Sequence, residues 1–134
     1  MILRRGADDR GSVPSMRREV LDALARLSDV EYQRRVWVEQ IFPHENFFDD
    51  LEQVVHTLFD DCRVLPDPQP VIGAILLEGE EIGRLRQLGV VFDQLIDVHG
   101  NEPDQRYLDD PRWGEVVGLA ALALAAMVRR WGFE

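Results

Sequence analysis

Apolar residues along this chain recur at helical spacing almost from end to end. Met16, Val20, Leu24 and Leu27, with Leu21 beside them, predict an amphipathic helix over residues 15–27. Ser28 and Glu31 form an S-x-x-E capping box for a second helix that includes Tyr32, Val36, Trp37 and Ile41, and Pro43 is expected to end it. Within 46–62, Leu51, Val54, Val55, Leu58, Phe59 and Cys62 make one stripe, while Asp49, Glu52, Gln53, His56 and Asp60 take the other face. Glu80 and Glu81 open a further helix carried by Ile82, Leu85, Leu88, Val91, Phe92, Leu95 and Ile96, with His99 and Gly100 as closing residues.

The last element dominates the pattern. Val116 to Val128 is thirteen residues without a charge. Asp110 suits its cap, Pro111 its first turn, and Arg129 and Arg130 its C-terminal end. A helix apolar on every side is expected to be covered on every side. It is shorter than the roughly 18 residues that cross a bilayer, so it predicts the central helix of a bundle.

Between these helices the pattern is less decisive. Val71 to Leu77 is a seven-residue apolar run after the stiff connector Pro66-Asp67-Pro68-Gln69-Pro70, and it is read as a short buried helix. The alternative is a strand paired with Val36–Phe42, giving an α+β fold with a short hairpin. Residues 101–109 form a polar connector anchored by Tyr107 and Leu108. Residues 1–14 carry no period and predict a flexible tail ahead of a single helical domain, 15–134. The fold class expected is all-α: a compact bundle of about five helices around the apolar C-terminal one.

Composition narrows function more than fold. The net charge is −10 and the pI near 4.7, which argues against nucleic acid and anionic membranes as partners and leaves a cationic protein. All fifteen basic residues are arginine, a sign of a GC-rich bacterial genome. Cys62 is the sole cysteine, and the opening residues show no secretory leader, so a cytoplasmic protein without disulfides is expected. In 44–70, Glu45, Asp49, Asp50, Glu52, Asp60, Asp61 and Asp67 face one arginine, Arg63. Asp60 and Asp61 also sit at the end of their helix where the dipole disfavours them.

Chemistry-bearing motifs are sparse. There is no H-E-x-x-H, no G-x-S-x-G elbow and no glycine-rich phosphate loop, and Gly73, Gly79, Gly83, Gly89, Gly114 and Gly118 are scattered as helix contacts or breaks. No catalytic residue, metal ligand or cofactor is assigned. The enzymatic alternative is metal-assisted chemistry by His56 with Asp60, four residues apart on one helical face; the bland reading is a histidine held by a neighbouring carboxylate. Phe47, Phe48 and Trp37 are either interface anchors beside the acidic segment or core.

Four blocks carry a resemblance: Pro14 to Leu21, Asp29 to Trp37, Val54 to Asp61 and Tyr107 to Trp113. With them the chain resembles a family of small acidic bacterial proteins known by a locus tag, common in actinobacteria with relatives in firmicutes. That family supplies no activity. Its size, acidity and closing D-P-x-W helix are similar to immunity proteins of bacterial toxin systems, which implies a partner with a basic active site. The reading reached is a non-enzymatic protein-binding module that neutralises a cationic partner through Phe47, Asp49, Asp50, Glu52, His56, Asp60 and Asp61. A homodimeric regulatory or structural protein joined through Val71–Leu77 is the third reading, so monomer and homodimer both stand.

Overall fold

The computed structural model describes residues 13–131, and the expected tail lies almost wholly outside them. Six helices appear: α1 (Val13–Leu27), α2 (Val30–Tyr32), α3 (Leu51–Val55), α4 (Glu80–His99), α5 (Asp104–Asp109) and α6 (Trp113–Trp131). Both α2 and α3 widen into π-helical turns, Gln33–Val38 and His56–Asp61. The fold is all-α, with no strand among the described residues. No described helix is long and apolar enough to cross a membrane.

The bundle is organised about α6, which packs on α4, α1 and α5. Val116, Ala120, Ala123 and Met127 from α6 are fully buried with Leu85, Leu88, Phe92 and Leu95 of α4 and Val20, Leu24 and Leu27 of α1. The expectation that α6 is covered on every side does not hold. Gly118, Ala121, Leu122, Ala125 and Val128 face outward; the glycine and alanines there give little apolar area to hide, whereas Leu122 and Val128 are large apolar side chains left in solvent.

Three boundaries also differ from the sequence reading. Asp29, not Ser28, caps α2, accepting from the Tyr32 N–H at 3.0 Å; Ser28 Oγ instead donates back to the Ala25 carbonyl. The second helix stops at Val38 rather than near Pro43, since Gln40 adopts φ +58° and Ile41 turns out to solvent. Asp110 accepts from the Arg112 N–H in a turn ahead of α6, so the last helix starts at Trp113.

Residues 71–77 are neither helix nor strand. A 3-10 turn at Gln69–Val71 leads into a tight coil in which the Val71 carbonyl accepts from the N–H groups of Ala74, Ile75 and Leu76. Gly73 at φ +93° makes the reversal, so the run cannot propagate as a helix. Ile75 and Leu76 are buried, which takes two of the seven residues of the proposed dimer strip into the core.

Two buried polar arrangements fix these pieces. Arg17 of α1 meets Glu81 of α4 in a bidentate pair, both bonds 2.9 Å, and donates further to the carbonyls of Ile75 and Met127. Glu81 also accepts from the Leu77 N–H, closing the coil onto α4. Gln33, fully buried, donates to the carbonyls of Arg26 and Leu27 and accepts from Trp113 Nε1.

Gly89 lets the connector lie directly on α4, since a Cβ there would stand 2.4 Å from the Pro66 carbonyl oxygen. Gly83, on the same helix, has open space around its missing Cβ. Gly89→Ala is therefore expected to lower unfolding stability by about 1–3 kcal/mol in urea melts. Gly83→Ala should raise it by up to about 1 kcal/mol; equal effects at the two positions would contradict this packing.

Candidate protein-interaction site

The acidic segment begins with a carboxylate that turns away from solvent. Asp49 was expected on the outward face; it is buried. Its Oδ1 accepts from Arg26 at 2.7 Å, and its Oδ2 accepts from both the Tyr32 hydroxyl and Trp37 Nε1 at 2.8 Å. The reason is position: Asp49 precedes the helix cap, so helical periodicity does not place it, and three donors gather where it points. Burial and this carboxylate together push the Tyr32 hydroxyl pKa up. Trp37 is core, with its indole N–H used by this pair.

Asp50 then caps α3 from outside, accepting from the Gln53 N–H at 3.2 Å. The adjacent Leu51 N–H, left unpaired by the helix start, donates to Asp104 Oδ2 of α5 at 2.9 Å. That bond draws the acidic start of α5 against the acidic start of α3. Further along, Glu52, His56 and Asp60 form an exposed ladder: His56 Nδ1 lies 2.7 Å from Asp60 Oδ2 and Nε2 lies 3.3 Å from Glu52 Oε2. Both ring nitrogens thus already have carboxylate partners. Asp60 first, then Glu52, raise the histidine's pKa.

Between α3, the C-terminal end of α4 and α5 lies an open groove of about 540 Å³. Its walls carry Asp50, Glu52, His56, Glu102 and Asp104, over an apolar floor that includes Val55, Ile96 and Tyr107. Four carboxylates line it and no arginine does. Asp104 has its pKa raised, first by burial and then, against the Leu51 N–H, by Asp50, Asp49 and Glu52. A carboxylate held in such surroundings gains when a cation arrives.

The other expected residues lie elsewhere. Phe47 is half-buried against Phe42 and His44, with ring centroids 6.0 and 5.7 Å away, and Phe48 is 58% exposed. With Asp22, Arg26, Tyr32, Pro43 and Asp49 they line a second, shallower hollow of about 430 Å³. Asp60 and Asp61 are exposed and line neither depression. The structure therefore brings Asp50, Glu52 and His56 to one groove, leaves Asp60 beside it on His56 Nδ1, and places Phe47, Asp49 and Asp61 away from it.

Glu102 and Asp104 were missed because residues 101–109 read as a connector. The signal available was Pro103-Asp104, a helix start by the usual rule, and it opens α5. Behind them His99 is clamped between Glu102 at 2.7 Å and Asp110 at 2.8 Å, and Arg112 holds Asp110 from the other side. These contacts raise the His99 pKa and hold the Asp110 carboxyl well below the usual range. Cys62 is buried and its thiol pKa is pushed up to about 11, chiefly by burial, so it is a core residue held as the protonated thiol. No group of three or more His, Cys, Asp or Glu side chains placed to hold a metal ion occurs among the described residues.

Residues 12–132 match the model of a domain of unknown function, DUF7945, and the chain belongs to that family. No curated protein and no solved structure matches it.

Two outcomes follow from this geometry. Asp49→Ala strands three donors, Arg26 among them, and should cost about 3–5 kcal/mol of stability; a cost below about 1 kcal/mol would contradict the buried pair. His56 and His99 have folded pKa values above their unfolded value of about 6.5, so their stabilisation is complete below that pH and is lost as pH rises through the folded values. Urea melts between about pH 6 and pH 8 should show stability falling, with a flatter profile in H56Q/H99Q; an unchanged slope would exclude the histidine clamps as its source.

Proposed function

We propose that this protein is a non-enzymatic binding module that receives a basic side chain of a cationic protein partner in the groove between α3 and α5. The observation that carries the reading is the set Asp50, Glu52, Glu102 and Asp104, which come from separate segments onto one open volume without a compensating arginine. A guanidinium or ammonium group entering there meets several acceptors at once, and the apolar floor accommodates its methylene stem. Beyond the groove, the ladder Glu52, His56, Asp60 and the neighbouring Asp61 extend the negative field and would steer the encounter at low salt. The resemblance in size and acidity to toxin-immunity proteins agrees with this use, a basic active site being the surface such a groove would cover.

Compared with the sequence reading, the centre of the surface moves. Asp49 serves the fold, Phe47 and Phe48 flank a different hollow, and Glu102 and Asp104 join Asp50, Glu52 and His56.

The test uses a labelled arginine-rich peptide at low ionic strength, read by fluorescence anisotropy. E52Q/E102Q removes two groove charges without touching a helix cap, and D93N/D97N removes two exposed charges from α4. The first should weaken binding about tenfold and the second less than about twofold. Equal weakening by both would reduce the effect to net charge and overturn the groove.

A further inference from the structure

We infer that the exposed face of α6 is a contact between two copies of this chain, paired antiparallel. Gly114, Gly118, Ala121, Ala125 and Val128 follow each other at intervals of four, three, four and three, the spacing of a coiled-coil seam. All are exposed, as is Leu122 beside them, and a Cβ at either glycine would meet nothing within 4 Å. The strip runs about 21 Å along the helix. No other described residue covers it, and small residues let two helices approach closely.

Charge says what covers it. A chain of net charge −10 repels its own copy, so two copies meet at least cost where charge is absent, and Val116–Val128 is that place. The strip ends on opposite charges, both exposed: Glu115 at the start and Arg129 at the finish. In an antiparallel pair with Gly118 over the partner's Val128 and Ala121 over the partner's Ala125, Glu115 faces the partner's Arg129 at both ends. Leu122 then meets the partner's Leu122 at the two-fold axis. A parallel pair would put Glu115 and the partner's Glu115 on opposite sides of the seam, and likewise Arg129 and the partner's Arg129, so neither end charge would face its opposite. Arg129 already contacts Glu80, and its five N–H donors leave room for a second carboxylate.

One helix pair of this length is at the small end of specific interfaces, so the dimer forms with concentration rather than permanently. The contact does not rest on the acidic groove, which lies on other elements.

Sedimentation velocity from low micromolar to near-millimolar protein tests it, in an E80Q background that frees Arg129 of its own carboxylate. The parent should dimerise with rising concentration. E115R and R129E should each weaken association about tenfold or more, and E115R/R129E should recover it. Ala125→Glu should abolish it while the circular dichroism melt stays cooperative. A parent monomeric throughout, or a double exchange no better than its singles, would overturn the pairing.

Discussion

One buried carboxylate sets the geometry on which the candidate site depends. Taking Asp49 out of water is costly, and the cost is offset only because Arg26, Tyr32 and Trp37 supply three hydrogen bonds between them. These donors come from α1 and from the helix that widens into a π turn, so satisfying Asp49 fixes both against the chain entering α3. Once Asp49 points inward, Asp50 must point outward, since neighbouring residues in extended chain alternate sides. Asp50 thereby becomes both the cap of α3 and a wall of the groove.

The same logic repeats at other joints. Arg17 with Glu81 ties the start of α1 to the start of α4 and holds the 71–77 coil, and Gln33 with Trp113 ties the π turn to α6. No buried side-chain polar atom among the described residues lacks a partner. Networks of this completeness specify one arrangement of the helices where apolar packing alone allows several. That matters here because α6 is rich in alanine and glycine and offers few large side chains to define its register.

How much of this could be read from the chain follows from what periodicity measures. It found α1 and α4 with their buried residues, since each is long and presents one apolar face, and it found α6 as a charge-free run without telling its buried side from its exposed one. It misplaced Asp49, because a residue just outside a helix cap obeys no helical period, and its partners Arg26 and Tyr32 are distant in sequence. It took Val71–Leu77 for a helix because an apolar run carries no conformational label, whereas Gly73 and the Val71 carbonyl decide the turn. It judged α6 by hydropathy alone and so expected full burial, though alanine and glycine in water cost little. Glu102 and Asp104 were passed over because only the Leu51 to Asp104 bond, a long-range contact, brings them beside α3.

Two surfaces of opposite character result: a groove dense with carboxylates and a helical strip without charge. The groove is the centre of the account, and Asp104 is its most sensitive reporter, being the member whose pKa burial and acidic neighbours raise. The most direct measurement is the carboxyl carbon NMR titration of Asp104, alone and with saturating arginine-rich peptide. The account predicts a value above the ordinary aspartate range of about 3.9 in the free protein and a fall toward or below it when the peptide binds. An Asp104 that titrates normally and ignores the peptide would contradict it.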